Sequence, residues 1–235
     1  MTKSLIFGGT VEGRELAEAR LLAGDDVVVC VTSDYARKLL PPGARCYARA
    51  MGEADMLRAL RCESPDVVYD ATHPFAARVT ESLRRCAAIA GVSYQRLERP
   101  GGAGSSWGMD VEWVRDARAA AASLAATDGG ILLTTGSHTL SVYASVIPVE
   151  RLYARVLPTI DALRFCEESG LPPSHVIAMQ GPFTRALNAA LYDMLDIRAM
   201  VSKDSGEPGG VSDKVIPALE RQIHVVMIRR PELSR

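Results

Sequence analysis

The 235-residue chain is 48% hydrophobic and 23% charged, with a net charge of −1. Such a composition is globular, is enough for one or two domains, and excludes a disordered chain; near-neutrality gives no global reason to expect a nucleic acid or an anionic membrane as partner, so any cationic site must be local. No apolar segment approaches the roughly 20 residues that span a bilayer, and no signal peptide precedes the first strand, so a cytoplasmic location is expected.

Lys3 to Phe7 is the first expected strand, and Gly8-Gly9-Thr10-Val11-Glu12-Gly13-Arg14 leads from it into a helix carrying Leu16, Ala19 and Ala23. Asp26 to Val31 is the second strand; a weak strand at Arg45 to Ala48 and a helix from Glu53 to about Arg61 follow. Asp66 to Tyr69 is the short apolar run of a strand buried on both faces, and Asp70 ends it with a charge. Pro74 fits the first turn of a helix, where its missing N–H has no partner to lose, with Thr72 or His73 near the cap. Phe75, Val79, Leu83, Cys86 and Ala90 give that helix its expected apolar stripe. Val92 to Arg96 is a further strand, and Arg99 to Gly108, rich in glycine, serine and proline, is the expected linker or long loop.

Past it, strands are expected at Val111 to Val114, Ile131 to Thr134, Arg151 to Val156, His175 to Met179, Ile197 to Val201 and His224 to Ile228. Ala117 to Ala126 reads as a small-residue helix packed on a sheet, and Phe183, Leu187, Leu191 and Met194 as the stripe of a later helix. Strands alternating with helices imply parallel sheets with right-handed crossovers. The expected architecture is therefore α/β, with two domains meeting near residue 100, at residues 1–98 and 99–235; one large doubly wound sheet is also compatible with the pattern. The five cysteines (Cys30, Cys46, Cys62, Cys86, Cys166) are scattered, with no C-x-x-C pair and no clustering with the four histidines. They read as mostly buried free thiols, and no metal site is expected.

Open parallel sheets bind ligands at the carboxyl ends of their strands, beside helix N-termini, so polar residues there are the functional candidates. The Gly8 to Gly13 loop has Thr10 at the middle position of G-x-G-x-x-G; it is either a phosphate cradle or a tight turn with Thr10 as N-cap. Ser33, Asp34, Arg37 and Lys38 follow the second strand and offer both acidic and basic partners for a ribose edge, or are simply solvated. Asp70 would hold a ribose or fix its own loop. His73 would donate a proton or orient a substrate, unless it is only hydrogen-bonded near a cap. Thr134 to His138 is a second anion-binding turn or an ordinary capped one. Arg155 either forks onto a carboxylate or is an edge-strand arginine in water. Lys203 to Gly210, leading to a helix with Lys214, is a lid over anionic ligands or a mobile surface loop.

Taken together, GGTVEGR (Gly8 to Arg14), DATHPFA (Asp70 to Ala76), TTGS (Thr134 to Ser137), RVLP (Arg155 to Pro158), QGPF (Gln180 to Phe183) and KDSG (Lys203 to Gly206) resemble, in this order and spacing, the precorrin-6A reductase family of cobalamin biosynthesis, including its cobalt-precorrin branch. The resemblance runs from Lys3 to about Arg230. It implies two Rossmann-like domains with the active site in a cleft between them, and a reduced nicotinamide dinucleotide, NADPH or NADH, that saturates one double bond of a polycarboxylate tetrapyrrole. Carried over by position, Gly8, Gly9, Thr10, Gly13 and Arg14 would line the cofactor phosphates. Ser33 would lie on the cofactor's side, and Asp70, Thr72 and His73 by the nicotinamide and its ribose, His73 being the candidate catalytic residue. Thr135, Gly136, Ser137, Arg155, Gln180, Lys203, Ser205 and Lys214 would face the macrocycle. His138 stands where the resemblance implies variation, often a basic residue, and is left out of the site.

Two other readings have their own signatures. A short-chain dehydrogenase needs Tyr-x-x-x-Lys, and none of the seven tyrosines has a lysine four residues on. A non-catalytic dinucleotide sensor would keep its dinucleotide affinity and its signalling in a Lys203→Ala variant.

Overall fold

The computed structural model describes residues 1–98 and 110–231, so the linker expected at Arg99 to Gly108 lies outside the described residues. The chain divides into two compact units, 1–99 together with the C-terminal end from Pro231, and 100–230, so the second unit stops short of the expected 235; each has its own sheet, which excludes a single large sheet.

The first unit contains strands β1 (Lys3–Phe7), β2 (Asp26–Val31), β3 (Arg45–Ala48), β4 (Val67–Asp70) and β5 (Ser93–Arg96), paired in parallel in the order β3-β2-β1-β4-β5. Alternation along β1 and β2 sends Leu5, Phe7, Val28 and Cys30 to one face and Ile6, Val27, Val29 and Val31 to the other. The first face is covered by α3 (Glu53–Glu63) and α4 (Ala77–Ala90) through Met56, Leu60, Leu83, Cys86 and Ala87; the second receives Ala17 of α1 (Val11–Leu22). Burial on both faces explains why these strands read as continuous apolar runs.

Helix α4 starts three residues after Pro74. The Ala76 N–H donates to His73 O (2.8 Å), closing a turn with Pro74 in its second position, where a fixed φ is favoured. The stripe also differs from the expected one: Val79 is exposed and Thr80 is buried with Leu83, Cys86 and Ala87. In α1 the buried positions are Gly13 and Ala17.

The second unit contains β6 (Val111–Val114), β7 (Gly130–Leu133), β8 (Leu152–Val156), β9 (Val176–Ala178), β10 (Ile197–Lys203) and β11 (His224–Ile228), all parallel, in the order β6-β11-β10-β7-β8-β9. Its helices are α5 (Ala117–Ala125), α6 (Leu140–Ala144), α7 (Ile160–Glu168), α8 (Arg185–Met194) and α9 (Val211–Leu219). Leu132, Met200, Val225 and Met227 pack against Tyr192 of α8 and Val211, Val215 and Ala218 of α9. The buried side of α8 is Asn188, Leu191 and Tyr192, whereas Met194 is 72% exposed and Phe183 precedes the helix. Arg151 precedes β8 in a 3-10 turn, and β8 is flanked by β7 and β9, so Arg155 is not on an edge strand. No helix among the described residues is long and apolar enough to cross a membrane.

Candidate active site

In the first unit the strand order reverses direction between β1 and β4, which opens a crevice between the loops that follow them. Gly8 has φ +143°, and a Cβ on it would lie 2.2 Å from the Ala71 carbonyl oxygen; one on Gly13 would lie 3.0 Å from the Gly8 oxygen and 3.1 Å from the Ala71 Cβ. These two glycines serve the close approach of the two loops to each other. Thr10 caps α1 by accepting the Gly13 N–H (3.2 Å), and its hydroxyl donates to Ala71 O (2.9 Å). The capped turn is thus present. Above it Gly9 is exposed, and Arg14 Nη1 donates back to Gly9 O (3.0 Å). Bare backbone, a helix N-terminus and a guanidinium come together at the head of α1, an arrangement that fits a dinucleotide's diphosphate.

Asp70 is fully buried. Its Oδ1 accepts from the Thr72 N–H (3.0 Å) and hydroxyl (2.7 Å), and its Oδ2 from the Tyr94 hydroxyl (2.8 Å) and Arg96 Nη1 (2.6 Å). Burial pushes the carboxyl up, but the Thr72 hydrogen bonds and the Arg96 charge outweigh it and hold Asp70 below the usual carboxylate range. The same environment, burial first and then Asp70, pushes the Tyr94 hydroxyl up to about 12. Arg96 also bonds Thr80 Oγ1, which explains a buried threonine on α4. Asp70 therefore fixes its loop, and a ribose could reach it only by displacing one of these donors. Thr72 and His73 follow it, both half-buried; His73 Nδ1 accepts the Phe75 N–H (3.2 Å), and the two rings are 5.8 Å apart. Ser33 caps the four-residue helix α2 (Asp34–Arg37) by accepting the Ala36 N–H (3.2 Å), and Arg37 pairs with Asp34 (3.8 Å) on the exposed surface.

In the second unit the reversal falls between β7 and β10. The Thr134 N–H and hydroxyl both donate to Val201 O (3.0 and 2.8 Å), and Lys203 Nζ donates to Thr135 O (2.6 Å), so Lys203 spans the mouth of this crevice. Burial lowers the Lys203 pKa. Thr135 is buried with its Oγ1 2.9 Å from that of Thr139. Gly136 has φ +86° with open space where a Cβ would stand, and Ser137 begins the 3-10 turn that leads to α6. Ser205 is buried in the loop after β10, and Gln180 is exposed just beyond β9.

Arg155 is only 6% exposed; its Nη1 donates to Asn188 Oδ1 (2.7 Å), and its guanidinium lies 4.2 Å over the Phe183 ring. It is therefore not an edge-strand arginine in water: among the described residues no carboxylate of the protein pairs with it, and burial lowers its pKa. Asn188, fully buried, donates its amide to Thr184 O (3.0 Å) and Asp213 O (2.9 Å). Lys214 is 8% exposed, and its side-chain amine makes no hydrogen bond or ion pair among the described residues; burial, then the charge of Arg155, lowers it to about 7. The sequence reading missed Thr80, Tyr94, Arg96 and Asn188. Arg96 carried the same signal as Arg155, a basic residue at a strand end, whereas Asn188 sits inside an apolar helical stripe and is visible only once the helix is packed.

The whole chain from residue 3 to 235 matches the family model described as Precorrin-6x reductase CbiJ/CobK. A cobalt-precorrin-6A reductase of Priestia megaterium is 35% identical over 98% of this chain and 91% of its own length. A precorrin-6A reductase of Rhodococcus erythropolis is 31% identical over 99% of this chain and 91% of its own. A solved structure titled CobK precorrin-6A reductase superposes with a TM-score of 0.78 at 24% identity, covering 100% of this chain and 91% of that one, which shows a shared fold.

Proposed function

The chain belongs to the precorrin-6x reductase family, enzymes of cobalamin biosynthesis acting on a tetrapyrrole macrocycle, and from that premise we propose that it reduces one double bond of precorrin-6A or cobalt-precorrin-6A with NADPH or NADH. When bound, the reduced nicotinamide dinucleotide supplies the hydride, a proton completes the addition across the double bond, and the coenzyme leaves oxidised. In this reading the head of α1, with Gly8, Gly9, Thr10, Gly13 and Arg14, holds the diphosphate. Ser33, Thr72 and His73 line the rest of the dinucleotide site, and Asp70 keeps Thr72 and His73 in place. Thr135, Gly136, Ser137, Gln180, Lys203 and Ser205 surround the macrocycle in the second unit, and Arg155 and Lys214 meet its carboxylates.

The observation that carries the reading is a set of cations in the second unit of a chain whose net charge is −1: Lys203 bonded to Thr135 O at the β7/β10 crevice, and the buried Arg155 and Lys214, the charge of the first acting on the second. A polycarboxylate substrate needs such local cations. Hydride transfer itself asks the protein mainly to hold two flat rings at roughly 3–3.5 Å, and positioning supplies about 7–11 kcal/mol of the barrier. An anaerobic assay with each dinucleotide against cobalt-precorrin-6A and metal-free precorrin-6A tests this. Loss of the reduced coenzyme's near-ultraviolet absorbance with one macrocycle is expected, and none with either overturns the reading.

A further inference from the structure

The charge inventory around Lys214 is unbalanced. Arg155 and Lys214 are both more than nine-tenths buried, and the charge of Arg155 acts on Lys214. Among the described residues, the only side-chain partner of the Arg155 guanidinium, apart from the Phe183 ring, is the neutral Asn188 amide. Asp213, the one carboxylate among the described residues whose charge acts on Lys214, pairs with Arg185 (3.5 Å), and its side chain is 45% exposed. Among the described residues, the other carboxylates of the elements packed on α9 are paired elsewhere: α8 presents Tyr192, whose hydroxyl donates to Lys214 O (2.9 Å), and Asp193, which pairs with Arg221 (2.7 Å), while β10 ends in the cation Lys203, followed by Asp204, which pairs with Arg230 (3.5 Å). His224 of β11 pairs with Glu112 (3.0 Å), and Glu207, just before α9, accepts from the Ser212 hydroxyl. Helix α9 is preceded by Gly210 at its N-cap, with φ +63° and no side-chain cap. Two buried cations and an uncapped helix start therefore share one region, and among the described residues no carboxylate pairs with either cation.

We propose that binding of a macrocycle carboxylate at Arg155 and Lys214 is coupled to uptake of a proton by Lys214. The inference rests on the reading of the second unit as the macrocycle site. Burial and a like charge both disfavour the ammonium form, so the free protein holds this amine partly neutral near pH 7. An entering carboxylate reverses that balance, because it supplies the missing negative charge and the amine gains a charge-assisted hydrogen bond. The proton comes from solvent and stays on Nζ; no bond in the ligand changes. Because the pKa rises on binding, affinity is level below about pH 7 and falls as pH rises above it, by up to roughly tenfold per unit.

The test is calorimetric titration of the intact protein with cobyrinic acid, a stable cobalt corrin with free carboxylates, in buffers of different ionisation enthalpy at neutral pH. The expected result is uptake of roughly half a proton per ligand in the native protein. Lys214→Arg, whose cation does not titrate, is expected to bind with no uptake. Binding without uptake in the native protein, or equal uptake in Lys214→Arg, overturns the coupling and leaves the macrocycle site standing. Absence of binding by the native protein overturns both. In the free protein, the Lys214 side-chain carbon resonance should titrate near neutrality, and a titration above pH 10 counts against the proposal.

Discussion

The side-chain amide of Asn188 donates to the backbone carbonyl of Asp213 (2.9 Å). In an uninterrupted helix that carbonyl would accept the N–H of residue 217, but residue 217 is a proline inside α9 and has none to give. The defect in one helix thus provides an anchor for a polar residue buried on its neighbour. The anchored amide in turn offers Oδ1 to Arg155 (2.7 Å). Asn188→Leu keeps the volume but strips both contacts, leaving a buried carbonyl and a buried guanidinium unsatisfied. A loss of about 2–5 kcal/mol is expected in urea unfolding, together with weaker binding of cobyrinic acid.

Asp70→Asn removes the charge that balances Arg96 while keeping the shape. Breaking a buried pair in this way costs about 3–5 kcal/mol. The pH dependence has a definite sign: the folded carboxyl lies below its ordinary value, so its stabilisation is complete above pH ~4 and is lost as pH falls through the lowered folded value. Acid unfolding of the native protein should therefore show a dependence below pH ~4 that is reduced in Asp70→Asn.

Gly8→Ala places a methyl group 2.2 Å from the Ala71 oxygen at a φ of +143°. The loops after β1 and β4 must part, which costs at least ~2 kcal/mol. Dinucleotide affinity should fall with stability, whereas Gly9→Ala, whose Cβ meets nothing nearer than 3.4 Å, should leave stability within about 0.5 kcal/mol.

Removing the unpaired cation with Lys214→Met should stabilise the ligand-free protein by roughly 1–4 kcal/mol at pH 6. Here the folded pKa lies below the unfolded one, so the native protein gains stability as pH rises from about 7 towards ~10.4. The advantage of Lys214→Met should shrink over that window, as thermal unfolding at pH 6 and pH 9 would record. The same variant should bind cobyrinic acid more weakly.

His73→Ala separates positioning from proton donation. If holding the two rings is what matters, turnover should drop by less than about tenfold while both ligands bind as before. A loss of a hundredfold or more with unchanged binding would make His73 the proton donor.

Much of this molecule is written locally. The runs at Lys3 to Phe7, Asp26 to Val31 and His224 to Ile228 are apolar enough to be buried on both faces, and no environment other than a covered parallel sheet suits them. Glycines, Thr10 and the strand-end polar residues are likewise legible, because the chemistry of turns and caps depends on near neighbours. What required the tertiary structure is the partnering of charges across the chain. Asp70 becomes a scaffold because Tyr94 and Arg96, on the next strand, take up one of its oxygens. Lys214 becomes an unbalanced buried cation because β8 brings Arg155 under the same helices while Asp213 turns to Arg185. Burial and long-range charge are set by packing between segments distant in sequence, and for that reason no local pattern could reveal them.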